Sequence, residues 1–148
     1  MAKKFSLQSV LSYRERAVEL LEMQLAGLLI AERDLTTLVE QLQRAEQGVF
    51  VELARRQIGV LDLAAIEQAR WQLLSLQRQI RDHRLRLAEV RAQIEAKRAE
   101  MVAAEQAKET IEKLKEREME AWAAEIARRE AVERDDQYIA RAYHLNRE

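Results

Sequence analysis

The sequence predicts an all-α protein: two long helices folded into an antiparallel coiled-coil hairpin. Three observations predict it. The chain has no proline in 148 residues, where average usage would give about seven. Proline removes a backbone donor and clashes with the preceding turn, so its absence leaves helices uninterrupted. Apolar residues recur every seven positions along most of the chain, the pattern of a helix seam rather than of a thick core. The third observation is Gly59, the one glycine placed where a reversal would bring two such repeats together. The expected organisation is a single hairpin over 1–148, with helix 1 from about 6 to 58, a turn at about 59–61 and helix 2 from about 62 to 144.

Helix 1 opens at Ser6, whose hydroxyl is suited to capping free amides, with Phe5 and Val10 in the two positions of a hydrophobic staple. Every seventh residue from Leu7 gives Leu7, Arg14, Leu21, Leu28, Leu35, Leu42 and Val49. Companion positions widen the stripe: Val10, Ala17, Ala31, Leu38 and Ala45, and beside them Leu11, Val18, Leu25 and Val39. A strict seven-residue repeat of this length imposes a left-handed supercoil on a pair of helices. Gly27 falls beside the seam, where a small residue would allow close approach. Gly48 interrupts a pattern that Val49, Phe50 and Leu53 continue; at a cost of about 1 kcal/mol relative to alanine it marks a local bend. Arg55 and Arg56 suit the negative end of the helix dipole, and Gly59 tolerates the left-handed conformation that ends a helix.

Asp62 is the expected cap of helix 2, with Leu61 and Ile66 as a second staple. The repeat then runs through Ile66, Leu73, Ile80, Leu87, Ile94 and Met101, with Ala69, Leu76, His83, Val90 and Ala104 at the offset positions. Beyond Ala104 the apolar residues Ile111, Leu114, Met119, Trp122 and Ile126 follow a different stagger, as where a coiled coil relaxes or changes partner. A turn centred on residue 59 sets residue i opposite 118 − i, so Leu35 faces His83 and helix 1, starting near Ser6, runs out of partner opposite Glu112. The paired rod would then be roughly 75 Å long at 1.5 Å per residue. About 35 residues of helix 2 would project past it, carrying Met119, Trp122, Ile126, Tyr138, Ile139 and Tyr143. An apolar stripe without an intramolecular partner marks a binding surface.

Composition narrows the function. Lys and Arg (25) nearly balance Asp and Glu (26), and the signs alternate, as in Glu112-Lys-Leu-Lys-Glu-Arg-Glu118. That is a solvated helix surface, not the basic face of a nucleic-acid binder. The absence of cysteine excludes disulfides, thiolate nucleophiles and thiolate metal sites. Lys3 and Lys4 are followed by no continuous apolar run, since Glu15, Arg16, Glu19 and Glu22 interrupt it. Neither a signal peptide nor a membrane span is expected, and the cytoplasm is the default compartment. His83 occupies a seam position and is expected to pack there. Asp135, Asp136 and His144 diverge around a helix instead of converging on a metal. With no phosphate loop, nucleophile elbow or HExxH motif, the chain is expected to be non-enzymatic, with neither cofactor nor metal.

Three stretches together resemble the flagellar FliJ family, small coiled-coil stalk proteins of the type III flagellar export apparatus. They are Phe5-Ser-Leu7-Gln-Ser-Val10-Leu11-Ser-Tyr13-Arg14, then Leu76-Gln-Arg-Gln-Ile80-Arg-Asp-His83-Arg-Leu85-Arg-Leu87, and the charged stretch from Leu114 through Arg128-Arg-Glu to Asp135-Asp136. The resemblance implies a hairpin similar to the central stalk of rotary ATPases. Such a protein would bind within a hexameric export ATPase, promote its assembly and hydrolysis, and contact the membrane-embedded export gate; some members also engage export chaperones. The implied position is peripheral, at the cytoplasmic face of the inner membrane, in flagellum biogenesis and motility. Joined to the overhang, this implies an ATPase-ring surface of Phe5, Leu7, Leu11, Arg14, Met119, Trp122 and Ile126. The implied gate surface is Leu76, Ile80 and His83, with Leu38 across the seam. Gln72 and Gln79 stand where the family pattern leads one to expect an aromatic and a small residue, and Gln41 and Ala45 where aromatics occur. The alternatives are the equivalent stalk of a virulence secretion system and a generic coiled-coil adaptor or scaffold.

Overall fold

A computed structural model of the chain describes residues 5–147. Two helices, α1 (Gln8–Arg56) and α2 (Leu63–Leu145), pack against one another, and no strand occurs among the described residues. The Lys3-Lys4 pair lies outside the described residues. No described helix is long and apolar enough to cross a membrane. The chain packs as two compact units, Met1–Val18 with Val102–Glu148, and Glu19–Met101.

The Glu19–Met101 unit contains the reversal. The Ile58 amide donates to the Arg55 carbonyl at 3.2 Å as α1 ends. Gly59 then takes φ +85°, the only positive φ among the described residues, a conformation that costs an L side chain roughly 1–2 kcal/mol. Asp62 caps α2: its Oδ1 accepts from the Ala65 amide at 3.2 Å and its carbonyl from the Ile66 amide at 3.1 Å. Ile66 is buried, but its staple partner Leu61 stays more than half exposed, as do Ile58 and Leu63, while Val60 is fully exposed. The tip of the hairpin is therefore aliphatic.

Along α2 the predicted rows are the ones that turn inward. Ile66, Ile80, Leu87 and Ile94 are buried with Leu73 half-buried, and Ala69 and Val90 are buried with Leu76 and His83 half-buried. On α1 the ranking differs from expectation. In this unit Leu21, Leu28, Leu35 and Leu42 are only half-buried, whereas Val39 and Val49 are buried. Val39 belongs to the companion row of Leu11, Val18 and Leu25, which the half-buried Glu32 interrupts. The Glu32 side chain stays a third exposed there, and Arg91 of α2 reaches its carboxylate at 3.9 Å.

That ion pair also fixes the register. The residue numbers of Glu32 and Arg91 total 123, not 118, so α2 is displaced by about one helical turn from the expected pairing, and Leu35 is level with Leu87 rather than His83. Gly27 also departs from expectation: a Cβ added to it, as to Gly48, would meet nothing within 4 Å. Gly27 accommodates no close intramolecular neighbour, and α1 runs unbroken through Gly48.

In the other unit, Phe5, Leu11 and Val18 are buried at 6%, 3% and 5% exposure. Here too the register is later than expected. The Ser6 hydroxyl donates to Glu118 Oε2 at 3.0 Å, and Lys115 Nζ donates to Gln8 Oε1 at 3.5 Å. Ser6 thus ties the first residues to α2, while the helix opens with the Leu11 amide donating to the Leu7 carbonyl at 2.9 Å. Intramolecular pairing reaches Glu118 instead of stopping opposite Glu112. Half-buried positions continue at Ala104, Lys108, Ile111, Lys115, Glu118, Trp122 and Glu125, the same two rows as before. The apolar stagger seen in the sequence reflects polar residues entering this seam, which is held by hydrogen bonds as well as by packing.

Candidate interaction surfaces

The residues expected to meet the ATPase ring fall within one unit, and those expected to meet the gate within the other. In the unit holding both chain ends, Phe5 and Leu11 are interior, Met119, Trp122 and Ile126 are half-buried, and Leu7 is 36% exposed. Arg14, placed by the repeat in the seam, lies outside it; its guanidinium sits 5.9 Å from the ring centre of the exposed Tyr13. The cover given to Trp122 follows from the later register, since Phe5 and Ser6 are carried past residue 112 to the level of Glu118.

The open apolar surface begins further along α2. From Ala127 to the end of the helix every side chain except Ala142 is exposed, among them Val132, Tyr138, Ile139, Tyr143 and Leu145. Tyr138, at 76%, is the most exposed of these. At the base of this segment Glu125 forms a two-armed pair with Arg128 at 2.9 and 3.1 Å and meets Arg129 at 3.2 Å. The hydrogen bond from Arg128, then its charge, hold the Glu125 carboxyl below its usual range. The same pairing raises the Arg128 guanidinium. These contacts, spaced three and four residues apart, stiffen the helix at the base of its exposed segment.

In the Glu19–Met101 unit, Ile80 is 5% exposed, while Leu38, Leu76 and His83 are half-buried. They lie along the seam beside a shallow depression lined by Glu46 from α1 and by Gln77, Ile80, Arg81, Arg84 and Leu85 from α2. Ile80 closes the floor and presents little surface to a partner. Three apolar residues that sequence reasoning passed over are open instead: Trp71 at 67%, Leu74 at 56% and Leu85 at 64%. A second depression is lined by Trp71, Leu74, Ser75, Arg78, Gln79, Arg81 and Asp82, so Arg81 borders both. The signal was present in the sequence: Trp71, Leu74 and Leu85 are large apolar residues that fit neither seam row of α2. A helix partner already occupied by the seam leaves such residues facing outward.

Neither site converges on chemistry. The depressions are open, and their charged groups are arginines with interspersed carboxylates. The family model described as flagellar FliJ protein matches residues 3–148. Neither a curated protein nor a solved structure matches the chain.

Proposed function

We propose, from the premise that this chain belongs to the flagellar FliJ family and is therefore a component of the flagellar export apparatus, that it is a non-enzymatic stalk. It binds within the hexameric export ATPase, promotes ring assembly and hydrolysis, and contacts the export gate, acting at the cytoplasmic face of the inner membrane. The observation that carries the reading is the end of α2, where a single helix displays Val132, Tyr138, Ile139, Tyr143 and Leu145 to solvent. One helix is about 10–12 Å across, slim enough for the central hole of a ring, and about 20 residues of it extend some 30 Å. Burying a side chain such as Tyr138 or Ile139 supplies about 1.5–3 kcal/mol, enough to shift an assembly equilibrium tenfold or more.

Leu7, Arg14, Met119, Trp122 and Ile126 form the base of this ring-binding surface, and Phe5 and Leu11 hold that base together from within. The gate surface combines Leu38, Leu76 and His83 with the neighbouring open residues Trp71, Leu74 and Leu85; Ile80 supports it from beneath. Export chaperones are candidate partners for the same apolar faces.

The test is stimulation of the purified export ATPase. Tyr138→Ala with Ile139→Ala, and a chain cut after Arg128, should lose stimulation while circular dichroism shows the remaining helices intact. A cut after Lys113 would confound folding with binding, since it removes Lys115 and Glu118, the partners of Gln8 and Ser6. Full stimulation by the chain cut after Arg128 would refute the ring-binding role of the α2 end.

A further inference from the structure

One apolar stripe belongs to neither seam nor to either surface above. On α1, Leu20, Met23 and Ile30 are 55%, 72% and 52% exposed, while Leu21, Leu25, Leu28 and Ala31 between them turn toward α2. Together with Gly27, the exposed residues are spaced three, four and three apart, the spacing of a coiled-coil seam on the opposite side of the helix. A Cβ on Gly27 would meet nothing within 4 Å, so the glycine is a notch that nothing in this chain fills.

We propose that this face of α1 pairs with the same face of a second copy, antiparallel, about a twofold axis level with Leu25. The stripe selects this register by its own chemistry. The axis sets Leu20 on Ile30 of the other copy and the long Met23 side chain into the Gly27 notch of the other copy. Large residues thus meet small or complementary ones in every layer. At one flank the same axis sets Glu19 beside Arg33 of the other copy, twice by symmetry, and brings Ala26 against Ala26, small enough for close approach of the backbones. Glu19 is exposed, and the Arg33 guanidinium, on a side chain 76% exposed, meets the adjacent Asp34 at 3.9 Å.

Other alignments are worse. A shift of one heptad in one direction sets Asp34 against Met23, burying an unpaired carboxylate, and a shift in the other sets the charged Arg16 against the Gly27 notch. A parallel pairing leaves Gly27 facing Gly27 across a void and brings no opposite charges together at the flanks. A self-complementary patch of this kind is what a closed twofold interface requires. Four seam residues per copy, one of them glycine, make a small interface, so the dimer is a weak and reversible one. This inference is independent of the export reading, because it uses none of the residues assigned to the ATPase or the gate.

The test is sedimentation equilibrium of the full chain over a wide concentration range. A monomer–dimer equilibrium is expected. Met23→Glu and Ile30→Glu should abolish it while leaving the melting curve unchanged at low concentration, since both side chains are exposed. Glu19→Arg or Arg33→Glu alone should raise the dissociation constant about tenfold, by turning two attractions into repulsions. The double reversal should restore it. Residues 19 and 33 lie about 21 Å apart along one helix, so rescue comes only through a second molecule. Because the chain lacks cysteine, Glu19→Cys and Arg33→Cys chains should cross-link to one another on oxidation, and each alone should not. A chain that stays monomeric, a dimer indifferent to Met23→Glu, a double reversal no better than the singles, or efficient cross-linking of Glu19→Cys chains with themselves would each overturn the proposal.

Discussion

Ile80 and Leu85 lie five residues apart on α2 and line the same depression, yet one supports the fold and the other is open to a partner. Ile80 is 5% exposed and Leu85 is 64% exposed. Ile80→Ala removes three carbons from the seam, worth about 0.8 kcal/mol each, so about 2.4 kcal/mol in transfer energy. The cavity contribution is small, because a seam one layer thick admits water to the vacated space, and the total stays near the low end of the roughly 2–5 kcal/mol range. Leu85→Ala removes the same number of carbons but only about a third of their surface is covered, which gives about 0.8 kcal/mol. The better helix propensity of alanine offsets part of that. For a chain of this size each kcal/mol lowers the melting temperature by about 2–4 °C, so the expectation is a fall of about 5–10 °C for Ile80→Ala and no more than about 3 °C for Leu85→Ala. Thermal melts followed by circular dichroism measure both. A pull-down with the cytoplasmic part of the export gate should show the reverse order once the variants are compared below their melting points, with Leu85→Ala and Trp71→Ala the weaker binders. Equal melting temperatures for the two variants would refute the packing assigned to Ile80, and undiminished gate binding by Leu85→Ala with Trp71→Ala would refute the open surface.

Gly48→Ala and Gly59→Ala should move stability in opposite directions although both sites are open to solvent. The first gains about 1 kcal/mol of helix propensity, and the second loses about 1–2 kcal/mol because φ is +85°; urea denaturation reads both. Asp62→Ala should cost about 1 kcal/mol by removing the acceptor of the Ala65 amide, and Asp62→Ser should recover most of it. The Glu125 carboxyl, held down by Arg128, should titrate below its ordinary range by NMR and move back toward it in Arg128→Gln. Because its folded-state pKa is lowered, its contribution to α2 is complete above the ordinary Glu range and is lost as pH falls through the folded value, so the protection factors of amides around Glu125, taken relative to the intrinsic rate at each pH, should fall on acidification.

The hairpin was legible in the sequence because its determinants are local. Gly59, the Asp62 cap and the rows through Ile66 and Ala69 each follow from backbone conformation or side-chain spacing within a few residues. The family resemblance rested on segments that the family match spans, yet the residues that present the surfaces were harder to see. Trp71, Leu74 and Leu85 stood out only as apolar residues off the rows, and Leu20, Met23 and Ile30 were hidden by the stronger seam beside them. Register could not be read at all. A seven-residue repeat is satisfied almost equally by neighbouring alignments of the two helices, and the one adopted, marked by Glu32 meeting Arg91, is about one turn away from the alignment centred on Gly59. In the unit holding the chain ends, the correspondingly late register sets Ser6 against Glu118, gives Trp122 partial cover and leaves the unpaired surface at Val132–Leu145. Periodicity determines which face of a helix is apolar; only the packed pair decides which residues along that face find a partner and which are left for another protein.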